Sequence, residues 1–359
     1  MGQGERSPSS GVEVTVTGKE QLECWLAGSR PPVEEVRPGL WSVPVPIPDN
    51  PLRYVLSYFL ESDRGIAVVD PGWNTPASWD ALLAGFDACG ASVSDTSAII
   101  VTHIHPDHYG LAGRLRQASG APVALHPADA AQIPARYGER QGEILVDMNA
   151  LLVRAGVPSG QVAPLTESSL GIREFVELVE PDILLGDGDM APAGKGWQLR
   201  AIWTPGHSPG HLSFYEERLN VLLSGDHVLP RITPNVSLHV ESGENPLADY
   251  LASLDKVEQL VVNEVLPAHE WRFSPLSARV SELRQHHESR LAELLAVLRA
   301  KPLTVWEVTQ ALTWALPFSA FSDFMKRAAV GESLAHLVFL EKQGRVQRQS
   351  AIPEVWSLP

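Results

Sequence analysis

Apolar and polar positions alternate with a period of two through residues 40–46 and 54–60, and a short apolar run at 66–69 ends in Asp70-Pro71-Gly72, which predicts strands joined by turns. Residues 79–88 then show apolar positions at helical spacing, and 98–101 form a short apolar run suited to a buried strand. The alternation continues through strands at 123–125, 197–203, 212–215 and 221–223, a helix at 246–259 and a strand at 264–267. Strands interspersed with helices over about 240 residues predict an α/β layered domain.

The pattern differs at both ends. Residues 1–36 mix Gly, Ser, Pro and charge with one helix-compatible stretch at 20–27, and read as an N-terminal arm on the surface. Beyond residue 278, three helices are expected at 279–300, 304–313 and 325–343, the last ending at Gly344 as a C-cap glycine requires, followed by β-compatible runs at 345–349 and 355–358. Three helices and a hairpin are the order of a winged helix-turn-helix module, giving the division 1–36, 37–278 and 279–359. Within the middle unit, residues 128–182 carry helical runs at 142–155 and 168–178, and suit a lid insertion over a pocket.

Composition narrows the partners. The 359 residues carry 28 Lys+Arg against 43 Asp+Glu, a formal charge of −15, and residues 279–359 hold ten basic and eight acidic groups, so −17 falls on the rest. That acidity disfavours nucleic acid as a partner, because phosphate binding needs a basic face. No stretch reaches the eighteen apolar residues of a membrane span, the first residues lack the apolar core of a signal peptide, and two cysteines, Cys24 and Cys89, make no disulfide framework. A cytoplasmic protein without a membrane partner is expected.

The 12 histidines are unevenly placed. Thr102-His103-Ile104-His105-Pro106-Asp107-His108-Tyr109-Gly110 sets four metal-type ligands at the carboxyl end of a predicted strand, and burying them without a partner would be costly. Imidazole with carboxylate favours zinc or another first-row transition ion over Mg²⁺ or Ca²⁺. Further strands end in Thr204-Pro205-Gly206-His207, in Ser224-Gly225-Asp226 and in Pro267-Ala268-His269, and Gly206 and Gly225 allow tight turns beside the ligand.

These elements, in this order, resemble the metallo-β-lactamase superfamily over roughly residues 37–275. The resemblance implies an αββα sandwich, with His103, His105 and His207 on one metal, Asp107, His108 and His269 on a second, and Asp226 bridging. It implies two Zn²⁺ per chain, with Fe or Mn as alternatives, and a metal-bound hydroxide as nucleophile. Asp107 would also shuttle a proton, and Asp70 would orient a ligand from behind. Tyr109, His227, Arg231 and Thr233 lie near these motifs and are candidate contacts to a ligand or substrate, whereas His211, and the pair His286 and His287, read as packed and solvated respectively.

The preferred function is hydrolysis of a small-molecule ester, thioester or lactone, as in glyoxalase II-type enzymes. The terminal module resembles that of the β-lactamase-like protein 2 branch, which keeps a phosphodiesterase or RNA endonuclease as an alternative. A mononuclear iron sulfur dioxygenase is another, and a winged-helix regulator with a sensing domain is a third. The terminal module also leaves a homodimer open.

Overall fold

The computed structural model describes residues 13–349 and 351–359, which build two large sheets and one small one. The first sheet has seven strands in the order Glu34–Arg37, Leu40–Pro46, Tyr54–Ser62, Gly65–Val69, Thr96–Ile100, Val123–Leu125 and Ile183–Leu184. Its first four strands form an antiparallel meander, and the rest join in parallel, which requires crossovers such as the helix Pro76–Ala88. The second sheet runs Thr15–Val16, Phe273–Ser274, Glu264–Pro267, Val221–Gly225, Leu212–Glu216 and Leu199–Trp203.

The period of two decides which layer each side chain enters. Along Tyr54–Ser62, Leu56, Tyr58 and Leu60 face inward and pack with Ala201, Phe214 and Leu223 between the sheets, while Val55 and Phe59 turn outward onto Leu82 and Phe86 of a covering helix. The outer face of the second sheet, through Ile202, Leu222 and Val265, packs on the helices Pro246–Glu258, Leu276–Leu298 and Asp323–Lys342. The result is a four-layered αββα arrangement. Among the described residues, no helix is long and apolar enough to cross a membrane.

Three expectations need correction. Residues 1–12 of the expected arm lie outside the described residues, and the remainder is built into the body. Thr15–Val16 pairs with Phe273–Ser274, Glu34–Arg37 edges the first sheet, and Trp25 of the helix Lys19–Ala27 is 9% exposed against Tyr54 and Trp271. An aromatic side chain of that size gains about 2 kcal/mol or more by burial, which outweighs the polar composition around it. The second correction is the join at residue 278: the helix starts at Leu276 and one apolar cluster runs through both sides of it. The third is that a strand, Leu303–Thr304, precedes the second terminal helix. It pairs with Val355–Ser357, which also pairs with Gln347–Gln349. Thr304 then caps Val305–Ala311, accepting from Glu307 N at 3.2 Å while the Glu307 carboxylate accepts from Thr304 N at 2.9 Å.

The 128–182 segment holds the helices Ile133–Arg136, Gln141–Arg154 and Ser159–Glu167 and a 3₁₀ turn, Leu170–Phe175, where a helix at 168–178 was expected. Met148, Leu152 and Leu165 share the apolar cluster of the terminal helices, so the segment is braced by them.

Candidate metal centre

Chain direction gathers the motif loops. Leu199–Trp203 and Val221–Gly225 both pair antiparallel with Leu212–Glu216, and Glu264–Pro267 pairs in parallel with Val221–Gly225. Their carboxyl ends therefore lie along one edge, where they release His207, Asp226 and His269, and the loop after Thr96–Ile100 brings His103 to His108 to the same edge. The glycines are needed there. Gly206 has φ +135° and a Cβ would lie 2.5 Å from Tyr250 Cβ; Gly225 has φ +53° and a Cβ would lie 2.7 Å from His211 Nε2.

The seven side chains form two connected groups. In one, His105 Nδ1 lies 2.9 Å from His103 Nε2 and 3.0 Å from His207 Nε2. In the other, His269 Nε2 lies 3.3 Å from Asp107 Oδ2, and His108 Nε2 lies 3.7 Å from the same oxygen. Asp226 stands between them, with Oδ2 3.5 Å from His207 Nε2, and Oδ1 3.2 Å from His269 Nε2 and 3.6 Å from His108 Nε2.

Proton accounting shows what these atoms lack. The carbonyls of Asn235 and Tyr54 can only accept, so His207 and His269 donate to them from Nδ1 at 2.9 and 3.0 Å. His108 donates from Nδ1 to Asp70 Oδ2 at 2.8 Å; Thr102 donates its hydroxyl to the same oxygen at 2.8 Å and accepts from His103 Nδ1 at 3.0 Å. In the neutral tautomers, four Nε2 atoms then present bare lone pairs to the centre, with His105 Nδ1 and two carboxylates beside them. His108 Nε2, His269 Nε2 and Asp226 Oδ1 are buried without a hydrogen bond. Each such orphan costs about 1–3 kcal/mol, and cations would satisfy them together. The donor set, rich in imidazole nitrogen, fits first-row transition ions.

The electrostatics differ between the groups. Burial holds His103, His105 and His207 below the usual imidazole range, and so keeps them neutral. Burial also opposes charge on His269, but the Asp226 and Asp107 carboxylates outweigh it and lift its pKa to about 10. His108 is raised in the same way by Asp107, Asp70 and Asp226, and both aspartates are held below the usual carboxylate range. These carboxylates draw a positive charge to the imidazoles facing them. A divalent ion can supply that charge in place of a proton.

The remaining candidates divide. Asp70, at φ +55°, accepts from Thr102 N at 2.7 Å, from the Thr102 hydroxyl and from His108, so it orients the motif loop from behind. Tyr109 is not a pocket residue: it is fully buried, with its hydroxyl between the carbonyl and N–H of Val179. His227 is buried edge-on against Tyr250 with neither ring nitrogen bonded. Arg231 pairs with Glu270 and lies over Trp25, and Thr233 makes no side-chain hydrogen bond among the described residues.

Sequence reasoning missed two supports. His211, expected to be merely packed, accepts from Asp226 N at 3.1 Å through Nε2, and its Nδ1 bonds Thr204 Oγ1 at 2.8 Å. Asp129 accepts from Ile104 N at 2.9 Å, Ser208 Oγ at 2.9 Å and Gly210 N at 2.6 Å, joining two metal-type loops. Its signal was a further aspartate shortly after a strand end, in His126-Pro127-Ala128-Asp129.

Comparison with known proteins agrees with this picture. Residues 50–269 match the family model described as the Metallo-beta-lactamase superfamily. YqjP of Bacillus subtilis (strain 168), named "Probable metallo-hydrolase", is 25% identical over 80% of this chain and 88% of its own. A metallo-beta-lactamase family protein from Thermus thermophilus superposes with TM-score 0.78 at 35% identity, covering 90% of this chain and 100% of that one. A beta-lactamase domain protein from Burkholderia ambifaria gives 0.77 at 27% identity, over 91% and 94%.

Proposed function

The chain belongs to the metallo-beta-lactamase superfamily, and on that premise we propose that it is a zinc-dependent hydrolase, with two ions per chain, acting on an ester, thioester or lactone of a small molecule. The observation that carries the reading is the convergence of bare ring nitrogens and two carboxylates at one sheet edge, with His108 Nε2, His269 Nε2 and Asp226 Oδ1 buried and unbonded. In this proposal His103, His105 and His207 would hold one ion and Asp107, His108 and His269 the other, with Asp226 placed between the two groups to serve both.

When bound, such ions supply Lewis acidity that polarises the substrate and activates water near neutral pH. The chain's own residues do the rest. Asn235 and Tyr54 carbonyls fix the Nδ1–H of His207 and His269, and Asp70 with Thr102 fixes those of His108 and His103, so the opposite nitrogens stay turned inward. His211 holds the backbone of Asp226. Asp107, whose Oδ2 lies 3.3 Å from His269 Nε2 and 3.7 Å from His108 Nε2, is the carboxylate beside the centre that would take up a proton.

Residues 279–359 support a winged-helix-like reading through their order of helix, strand, two helices and two strands, with a three-stranded sheet. Their net charge of +2, against −17 on the other residues, favours a small molecule over nucleic acid as the enzyme's partner.

The test combines metal analysis with turnover. Zinc-loaded protein is expected to hold about two zinc ions per chain and to cleave some members of a panel of esters, thioesters and lactones in preference to bis-(nitrophenyl) phosphate and single-stranded RNA. Full rates in both Asp107→Ala and His103→Ala would sink the assignment, and one iron per chain with oxygen uptake would replace it by a dioxygenase.

A further inference from the structure

Residues 226–245 join Val221–Gly225 to the helix Pro246–Glu258 without forming a helix or strand, so their backbone groups need partners from elsewhere in the fold. The segment begins with Asp226 and carries Asn235, whose carbonyl accepts from His207 Nδ1 at 2.9 Å. The placement of Asp226 and the orientation of His207 therefore both depend on where this segment lies.

The terminal helices supply the partners. Along Leu276–Leu298 the buried positions Leu276, Arg279, Val280, Leu283 and His287 form one helical stripe, so Arg279 is a charge on an otherwise mostly apolar face. Its donors turn to the segment: Nε donates to Leu229 O at 2.6 Å, and one terminal nitrogen donates to Arg231 O and to Ile232 O, both at 2.9 Å. The other terminal nitrogen pairs with the half-exposed Glu282 carboxylate at 2.7 Å. Only the planar fork of an arginine lets one side chain serve carbonyls and a carboxylate together in this way. The far end of the segment is fastened to Asp323–Lys342, where Ser237 Oγ donates to Ala328 O at 3.1 Å and Leu238 N donates to Gly331 O at 2.9 Å. A Cβ on Gly331 would lie 3.0 Å from Ser237 Cβ, so helix and segment are in close contact there. The first attachment thus begins at Leu229, just beyond Asp226, and the second at Ser237, just beyond Asn235.

We infer that the terminal helices clamp the metal centre into shape, with Arg279 as a positioning residue for Asp226 and His207. The inference deepens the metal-hydrolase reading and rests on it. It gives residues 279–359 a task at the site itself, although none of their side chains belongs to the ligand set. The argument is one of backbone geometry: a segment with no ladder of its own takes its course from whatever holds its carbonyls and N–H groups.

The experiment uses the full chain, stripped of metal and titrated with Co²⁺ against a chelator, with hydrogen exchange at residues 226–238 of the metal-free protein as a second readout. Arg279→Gln removes the fork from the carbonyls of Leu229, Arg231 and Ile232. It is expected to weaken Co²⁺ binding by about tenfold, to alter the visible absorption of the bound ion, which follows its ligand geometry, and to speed exchange at 226–238. Arg279→Lys keeps the charge without the fork and should fall between Arg279→Gln and the wild type; it carries the test if Arg279→Gln does not fold. His287→Leu, on the same buried stripe but without a hydrogen bond to the segment, is the control for lost stability and should bind Co²⁺ as the wild type does. Wild-type affinity and absorption in the Arg279 variants overturn the clamp, and so does an equal loss in His287→Leu, which would reduce the effect to stability. Should the wild type bind no Co²⁺, the metal-hydrolase reading fails and exchange alone decides. Faster exchange at 226–238 in the Arg279 variant then retains Arg279 as the anchor that positions Asp226 and Asn235, and exchange equal to the wild type overturns it.

Discussion

Two sets of buried histidines in this chain use the same chemistry to opposite ends. At the sheet edge, His103, His108, His207 and His269 place their Nδ1 protons on Thr102, Asp70, Asn235 and Tyr54, and leave Nε2 without a proton against carboxylates. Between the helices Leu276–Leu298 and Asp323–Lys342, His336 donates from Nδ1 to Glu332 O at 2.7 Å, and its Nε2 accepts from His287 Nδ1 at 3.1 Å. There His287 completes the bonding of His336, its own Nε2 stays buried and unbonded with no carboxylate paired to it among the described residues, and burial lowers His287 to about 2 and His336 to about 4. Metal binding follows not from a buried bare ring nitrogen itself but from several of them converging with carboxylates, as they do only at the sheet edge among the described residues.

That contrast can be broken from either side. The largest effect is expected from His103→Ala, which removes a donor from the trio. Turnover should fall by more than about a hundredfold, beyond what losing an orienting partner costs, with less metal retained after dialysis. Asp70→Asn comes next: the amide competes as a donor with Thr102 and His108, permits the wrong His108 tautomer, and should weaken metal affinity by about 10–100-fold in a chelator titration.

His287→Leu strikes the other set. It leaves His336 Nε2 without a donor and should lower unfolding stability by about 1–3 kcal/mol in denaturant, with metal content kept at the wild-type level. A loss of metal would show that the two sets are coupled. The smallest effect is expected at Glu332, where burial, partly opposed by Arg290, raises the carboxyl from 4.5 to about 7. Between those values the folded chain keeps a proton that the unfolded chain has released. The contribution is therefore complete below pH 4.5 and is lost as pH rises through about 7. Glu332→Gln should flatten this decline, by about 1–2 kcal/mol, when melts at pH 5 and pH 8 are compared.

The metal-type side chains were legible because most of their information is local. His103 to His108 sit within one short loop, and His207, Asp226 and His269 each follow an apolar strand beside small residues. The strands themselves were legible from alternation, as Leu56 and Phe59 show by entering opposite layers. The supports were not. His287 read as solvated because its own helix carries charge around it, yet it is 2% exposed, covered by His336 forty-nine positions away and by Tyr250. Trp25 was lost in a polar arm for the same reason, and Tyr109 and His211 each depend on a partner that only folding brings close.

The amino-acid sequence by itself determined the layered α/β framework, the ligand loops and the acidity of the body, since periodicity, spacing and charge are properties of neighbours along the chain. Tertiary structure alone decided which ring nitrogens are bare and which carboxylates brace the loops. A proton position and a local field depend on every group within a few ångströms, and at this sheet edge those groups come from all parts of the chain.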